Sequence, residues 1–417
     1  MYNRIIIVFL FSFNLCIGQL DNHYFTNIQF SSLKEPRVNS FNSNIIGLPI
    51  FNFNAQLVTN INHIMSISNQ DLLIDFSSTP SNDIFLQSKI TNNLFFYGQQ
   101  QDSVFYSIGL DHKVFMDINI SQDLFSLMID GNQQYLNKSH TFTNNHINIY
   151  NYLSLYFGYA RNFSSLGLAQ VKLKLIKGLS LIQNSQSDIL TINTVDNFNT
   201  EDVPFTTSLY TDFTFLTNYN SNLFSDLGLA LDVSLEYDLS NQIALFAHIY
   251  DLGFVYWNAD RYVSNGNYDF PGIAYTLDEN IMTELNNVYD TMVNIFDIQK
   301  KNNTHFIQLL PYEFNLGSSY RFVDSDDKLI LNYQLNKMTN SIYGTGSIGF
   351  YKKYNQYKLS IMPIYMINKF NYSNISIVIH KQWSTQLMSQ LFFQNIISPW
   401  LDDDYYTSLS AKFFFMF

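Results

Sequence analysis

The stretch DSVFYSIGLDHKVFMDINI, residues 102–120, changes sides at almost every step. Val104, Tyr106, Ile108, Leu110, Val114, Met116, Ile118 and Ile120 share one parity. Phe105, Ser107, Gly109, Asp111, Lys113, Phe115, Asp117 and Asn119 share the other. Side chains of a strand point alternately to opposite faces, so this stretch is a strand with one apolar and one mixed face. Globular strands run about 5–6 residues, and this one is roughly three times as long.

Composition narrows what such a strand is for. Charged residues are 13% of the 417, about half the usual quarter of a soluble protein. Aromatics reach 17%, with 38 Phe and 29 Tyr, and the hydrophobic fraction is 47%. Beyond the first 20 residues no apolar run approaches the ~18 needed for a membrane-spanning helix. Low charge, many aromatics and dispersed apolar residues suit a membrane β-barrel, whose strands alternate lipid-facing and lumen-facing positions. A formal charge of −12 argues against nucleic acid as a partner class.

The N-terminus, MYNRIIIVFLFSFNLCIGQ, has the layout of a secretory signal. Arg4 supplies the charge, Ile5 to Leu15 the apolar core, and Cys16 and Gly18 the small residues before the cleavage point. Residues 1–18 are therefore expected to be a signal peptide. Acylation of Cys16 is the alternative, which Leu15 disfavours. Cleavage after Gly18 removes the chain's single cysteine and with it any disulfide.

The alternation recurs. Ile147, Ile149, Leu153, Leu155, Phe157 and Tyr159 oppose Asn148, Tyr150, Tyr152, Ser154 and Gly158. Similar patterns fall near residues 47–60, 87–99, 170–176, 204–217, 227–237, 242–257, 312–322, 328–337, 343–354, 357–368, 371–382, 385–395 and the C-terminus. The expected fold is all-β: a single transmembrane antiparallel barrel of about fourteen strands, between twelve and sixteen, with short loop helices. Residues 19–46 are expected to form a periplasmic arm or plug and residues 47–417 the barrel, with a long loop at about 258–310. In that loop Ile281, Leu285, Val288, Met292 and Phe296 are spaced as on one helical face. Residues 66–82 suggest a further loop, and residues 123–132 a short helix.

Charges decide which face meets lipid. Asp111, Lys113, Asp117, Lys172, Lys174, Asp232, Glu236, Glu313, Arg321 and Lys412 all fall on the less apolar parity of their strands. A Lys or Arg facing lipid near the midplane costs roughly 2–4 kcal/mol, so this parity faces the lumen. The first nine of these are the candidates for selecting solutes or closing a pore. Two residues break the pattern: His112 is expected beyond the apolar band, and Asp251 next to a bulge that shifts parity by one.

In the C-terminal TSLSAKFFFMF, Leu409, Ala411, Phe413, Phe415 and Phe417 share one parity. This resembles the signal by which bacterial outer-membrane barrels are recognised by their assembly machinery. Residues 227–273 resemble the central signature of a Bacteroidota barrel family of unknown function. The matching residues are Gly228 and Asp232, then Asp251, Leu252, Gly253, Phe254 and Trp257, then Phe270 and Gly272. Similar pieces are IGLP at 46–49, DLFSLMIDGN at 123–132, KLKLIKGL at 172–179 and LLPYEFNLGSSYRF at 309–322. The family usually carries Asn-Pro-Ala near its start, where this chain reads LKEPRVN. The resemblance implies a distant likeness to long-chain fatty-acid transporter barrels and to barrels serving secretion.

Other chemistry is weak. GTGSIG, with Gly344, Gly346 and Gly349, lacks the following helix and acid of a dinucleotide site. DSDD at 324–327 and DDD at 402–404 read as polar turns before strands, with calcium binding the sharper alternative. No histidine pair has zinc spacing, and no catalytic set is recognisable. No cofactor, metal or enzymatic activity is expected. The expected function is a passive conduit or binding barrel in the outer membrane for a hydrophobic or small solute. The alternative is a structural barrel docking a periplasmic or surface protein in secretion or surface assembly. Expected partners are outer-membrane lipid and lipopolysaccharide and the assembly machinery.

Overall fold

The computed structural model describes residues 43–47, 53–59, 83–101, 104–130, 133–163, 167–184, 189–196, 205–218, 224–270, 299–323, 327–337, 342–354, 359–368, 374–384, 387–394 and 405–416. The expected signal peptide (residues 1–18), residues 19–42, residues 66–82 and the expected helical face around Ile281 lie outside them.

Nineteen strands are described. The first are β1 (Ser43–Gly47), β2 (Phe53–Thr59), β3 (Ile84–Gln101), β4 (Val104–Ile120), β5 (Lys138–Phe142), β6 (His146–Asn162) and β7 (Gly167–Asn184). Then come β8 (Ile189–Asp196), β9 (Phe205–Asn218), β10 (Leu227–Asp238), β11 (Ile243–Phe270), β12 (Gln299–Leu309) and β13 (Tyr312–Arg321). The last are β14 (Lys328–Lys337), β15 (Ile342–Tyr354), β16 (Leu359–Asn368), β17 (Asn374–Gln382), β18 (Leu387–Gln394) and β19 (Tyr405–Met416). One α-helix is described, α1 (Gln122–Asp130), which follows β4, with Ser121 Oγ accepting from the Leu124 amide at its start.

The ladder closes on itself. β1 and β2 lie end to end between β3 and β19, joining the first part of the chain to the last. In the same way β9 and β10 share one place beside β11, and β12 and β13 share the place on its other side. With each of these pairs occupying one place, and β5 and β8 set above the wall, fourteen places remain round an antiparallel barrel. Closure leaves no unpaired edge for lipid to desolvate, which is what a spanning sheet requires.

At one end of the barrel the connections between consecutive strands are short. Residues 102–103 join β3 to β4, 239–242 join β10 to β11, and 355–358 join β15 to β16. The start of β1 and the end of β19 are paired at this end, Ile45 with Met416. Outer-membrane barrels keep short turns on the periplasmic side, and this end is termed the inner rim. At the other end β11 runs on for 28 residues in all, flanked by β9 and β12. β8 pairs with β9, and β5 with β8, so a sheet rises beyond the wall.

The outer face is apolar over a limited height. On β10 the exposed residues are Leu227, Leu229, Leu235 and Tyr237, which frame eleven positions, near the 9–11 of a bilayer-crossing strand. Leu173, Leu175, Leu252, Phe254, Leu316 and Leu331 belong to the same belt. Aromatics concentrate at its inner margin: Tyr106 packs edge-on against Tyr159 at 5.7 Å, and Tyr320 against Phe322 at 5.3 Å. Above Tyr256 the outward residues turn polar, with Lys300 bonded to Asp260 at 2.7 Å.

Two expectations need correction. The loop at 258–310 is narrower, because residues 258–270 belong to β11 and residues 299–309 are β12. These segments rise past the lipid, where an outward residue gains nothing from being apolar, so they lack the hydrophobic alternation that marks a spanning strand. The barrel's first strand also begins at Ser43, inside the segment expected to be an arm.

Candidate functional site

The inward faces converge on a cluster of charges at mid-height. Asp232 stands five residues from either end of the apolar stretch on β10, Leu227 to Tyr237. Its carboxylate accepts from Lys174 Nζ at 2.6 Å. Lys174 also bonds Asp251 at 2.7 Å, and Lys113 grips both oxygens of Asp251 at 2.6 and 2.7 Å. Two ammonium groups thus face two carboxylates, and each of the four residues is 5% exposed or less. Charges so buried are tolerated only when paired, and removing one partner of such a pair costs about 3–5 kcal/mol.

A bulge brings Asp251 in. Opposite Asp232 the β10–β11 register jumps from Leu231–Leu252 to Val233–Ile249, so Tyr250 and Asp251 together face one residue. Asp251 takes a left-handed backbone, φ 59°, which Asp tolerates better than most residues. Its parity flips, and an acid that alternation would aim at lipid points into the lumen. The rest of the motif keeps the bulge in place. A Cβ on Gly253 would lie 2.2 Å from the Leu229 carbonyl, so only glycine permits this approach of β10. Leu252 and Phe254 face outward, while Trp257 is buried inside. Gly178 makes room for that ring, since a Cβ there would sit 2.5 Å from it.

The ion pairs also cross the lumen. Lys113 and Asp251 lie on β4 and β11, four places apart in the wall. Lys89 on β3 reaches Glu313 on β13 at 3.5 Å, six places apart. A round fourteen-place barrel would be about 28 Å across, given ~4.8 Å strand spacing and ~40° tilt. Fully stretched, a Lys and a Glu bridge about 15 Å at ~1.5 Å per bond. The wall is therefore drawn in across β3–β4 and β11–β13, and the lumen is divided.

Aromatic layers lie on either side of the charges. Phe115 stacks on Tyr152 at 5.8 Å, in a buried group with Trp257, Val255 and Ile176. Phe96, Phe105, Tyr156, Ala160 and Leu168 form a second group. Lys172 Nζ lies 5.3 Å from the Tyr156 ring centroid.

Of the remaining expected site residues, Asp117 is buried and accepts from Gln87 at 3.0 Å. Glu313 is buried and accepts from Asn315 at 2.5 Å. Asp111 accepts from Asn93 at 2.7 Å, and Glu236 and Lys172 are partly exposed. Arg321 departs from expectation: it ends β13 at the inner rim and is exposed, because the wall stops there. Phe270 ends β11, and Gly272 and Phe417 lie outside the described residues. Leu409, Phe413 and Phe415 fall in β19, where Phe415 pairs with Ile46 to help close the barrel.

Sequence reasoning missed Lys89, whose parity is masked by a bulge at Asn93–Phe95. It also missed Asp226, which has φ 53° and joins β9 to β10. Asp226 accepts from Asn218 at 2.7 Å and from the Asn258 amide at 2.8 Å. His112 faces outward, with Nε2 2.7 Å from Asn151 Oδ1, on the rung of Leu153 and Lys177. Among the described residues no group of three His, Cys, Asp or Glu is arranged to hold a metal ion.

Among solved structures the chain is similar to a deltaS2S3 mutant of the monoaromatic hydrocarbon channel TodX, with 10% identity, TM-score 0.47, and 91% and 90% of the two chains covered. It is also similar to the Pseudomonas putida toluene transporter TodX, at 9% identity and TM-score 0.44, over 96% of this chain and 94% of that one. A Pseudomonas aeruginosa FadL homologue is similar at 8% identity and TM-score 0.39, over 90% and 88%. At such low identity and TM-score, function has to be read from this chain's own residues. No curated protein matches the sequence. The match of the family model to residues 38–387 is of another order, and the chain belongs to the family of unknown function DUF5723.

Proposed function

We propose that this chain is an outer-membrane conduit for a small solute, held shut at mid-height by an ionic latch of Lys113, Lys174, Asp232 and Asp251. The observation that carries the reading is that Asp251 bonds lysines from two other strands of the wall. A permanently open pore would leave such groups in water; here they are buried and neutralise one another. Ion pairs make a reversible closure, because water or a solute entering the lumen offers each charge a substitute partner. Support for the membrane comes from the apolar belt, its aromatic margin and the short turns at one rim. The buried aromatics beside the latch offer apolar surface to a hydrophobic solute.

The test is conductance in a planar lipid bilayer. The wild-type chain is expected to be silent or to open only briefly, and Asp251→Asn to open for longer and more often. Equal silence from a folded Asp251→Asn barrel overturns the conduit. That result would favour a barrel that docks a partner, a reading supported by the sheet of β5, β8, β9, β11 and β12 raised beyond the wall.

A further inference from the structure

We infer that the lipid-facing wall between β15 and β17, at its inner margin, seats the headgroup of an anionic phospholipid, with Lys352 and Lys381 as its cations. The inference needs the barrel's placement in a membrane and not the ionic latch. Its first support is a charge pattern. From Lys328 to Trp400 there is no Asp or Glu, in a chain with 34 acids and a formal charge of −12. The same stretch holds seven lysines, and it supplies the five neighbouring strands β14 to β18. Lys328, Lys352, Lys353 and Lys381 stand at the inner ends of their strands. This sector of the wall is therefore cationic, and most of its charge lies toward one rim.

Two of these lysines face outward, each over an aromatic ring. Residues two apart on a strand share a face, so Lys352 stands with Tyr354 at the end of β15, and Lys381 with Trp383 at the end of β17. Tyr354 and Trp383 are exposed, while Val378, on the other parity of β17, is fully buried. Lys352 Nζ lies 5.7 Å from the Tyr354 ring centroid, and Lys381 Nζ 5.9 Å from that of Trp383. The indole N–H of Trp383 donates to Ser389 Oγ at 2.8 Å, which fixes the ring. Tyr354 and Lys381 share a rung through Leu359 of β16, about 10 Å apart at ~4.8 Å per strand. Lys352 stands ~7 Å further up β15, and each lysine reaches about 6 Å from its Cα. Both ammonium groups can therefore close on one phosphate set between them.

Position selects the occupant. Aromatic rings of membrane proteins gather at headgroup level, and these two continue the margin of Tyr320, Phe322 and Phe350, with Phe322 and Phe350 6.0 Å apart. A lysine at that depth is drawn to a lipid of net negative charge by about 1 kcal/mol. A zwitterionic lipid brings its own ammonium group, which competes with the lysines. An acidic protein would dock on the turns of the rim, whereas Lys352 and Lys381 stand on the face that the apolar belt occupies. The wall at β6 repeats the arrangement, with Arg161 5.3 Å from the Phe163 ring and Tyr159 exposed beside it. Beyond the belt at the other end, Lys300 also lies over a ring, that of Tyr262, but it is bonded to Asp260 at 2.7 Å.

Full-length protein refolded in a non-ionic detergent is mixed with dioleoylphosphatidylglycerol or dioleoylphosphatidylcholine, and bound lipid is followed by native mass spectrometry. Phosphatidylglycerol is expected to be held more tightly. Lys352→Gln and Lys381→Gln should each weaken its binding about fivefold and together about thirtyfold, with phosphatidylcholine unchanged. Lys352→Arg combined with Lys381→Arg keeps both charges and should keep the preference. If the double glutamine variant does not fold, the two single variants carry the same expectation. Equal retention of the two lipids, or a preference that the folded glutamine variants keep, overturns the site. Three further results also overturn it. Displacement of the lipid by inorganic phosphate at constant ionic strength would make this a site for a free anion. Tighter lysine-dependent binding of lipid A would assign it to the opposite leaflet, and lysine-dependent capture of a glutamate-rich peptide in place of lipid would assign it to a protein.

Discussion

The backbone N–H of Asp251 donates to the carboxylate of Asp232 at 2.8 Å, across the bulge that separates their strands. Asp232 thereby holds the backbone turn that delivers Asp251 to its lysines, and Lys174 bonds both acids. Geometry and charge are coupled at one point. Replacing Asp251 by Asn keeps a residue that accepts the left-handed backbone and removes the charge. The expected loss is about 3–5 kcal/mol, read from urea unfolding in lipid vesicles. Asp251→Ala should lose about 1–2 kcal/mol more, since alanine resists that backbone. Equal stability of wild type and Asp251→Asn would show that the pair is not formed.

Lys113 and Asp251 can be tested as a unit. Lys113→Met leaves Asp251 with one lysine, and Asp251→Leu leaves both lysines without their shared acid. The double variant removes charge and partner together, so it should be less destabilised than the sum of the singles, with a coupling of about 0.5–3 kcal/mol. Strict additivity would place the two residues out of contact.

Depth in the membrane gives a test of the wall itself. Leu231 and Tyr237 face outward on the same strand, the first beside Leu173 and Leu252 near mid-height and the second at the inner margin. Leu231→Arg should cost about 2–4 kcal/mol and Tyr237→Arg about 0–1 kcal/mol in charge placement. Equal costs in vesicle unfolding would show that the belt is not lipid-facing.

Gly178 and Trp257 make a packing test independent of charge. Gly178→Ala places a methyl carbon where the indole ring stands and should cost about 1–3 kcal/mol. Trp257→Phe in the same chain should recover part of that loss, measured by thermal unfolding followed by circular dichroism. No loss on Gly178→Ala would mean the ring lies elsewhere.

Much of the wall was legible in the residues. β4 spans Val104–Ile120, almost the stretch whose alternation announces it, because one face meets lipid and the other does not. β5, β8 and much of β12 were not legible, since above the bilayer both faces of a strand can be polar. The site was legible only in part. Lys113, Lys174, Asp232 and Glu313 stand on the expected parity, but no periodicity says which lysine meets which acid. Asp251 violates the alternation of its strand, and only the β10–β11 register displays the extra residue that turns it inward.

By itself, then, the order of residues determined a closed, lipid-facing sheet, because alternation is local and each strand must hide its charges from hydrocarbon. That Lys89 meets Glu313, that the lumen is drawn in, and that Asp251 turns inward were decided only by the tertiary structure. Those contacts join strands several places apart round the wall, and they depend on how far it bends, which no local pattern encodes.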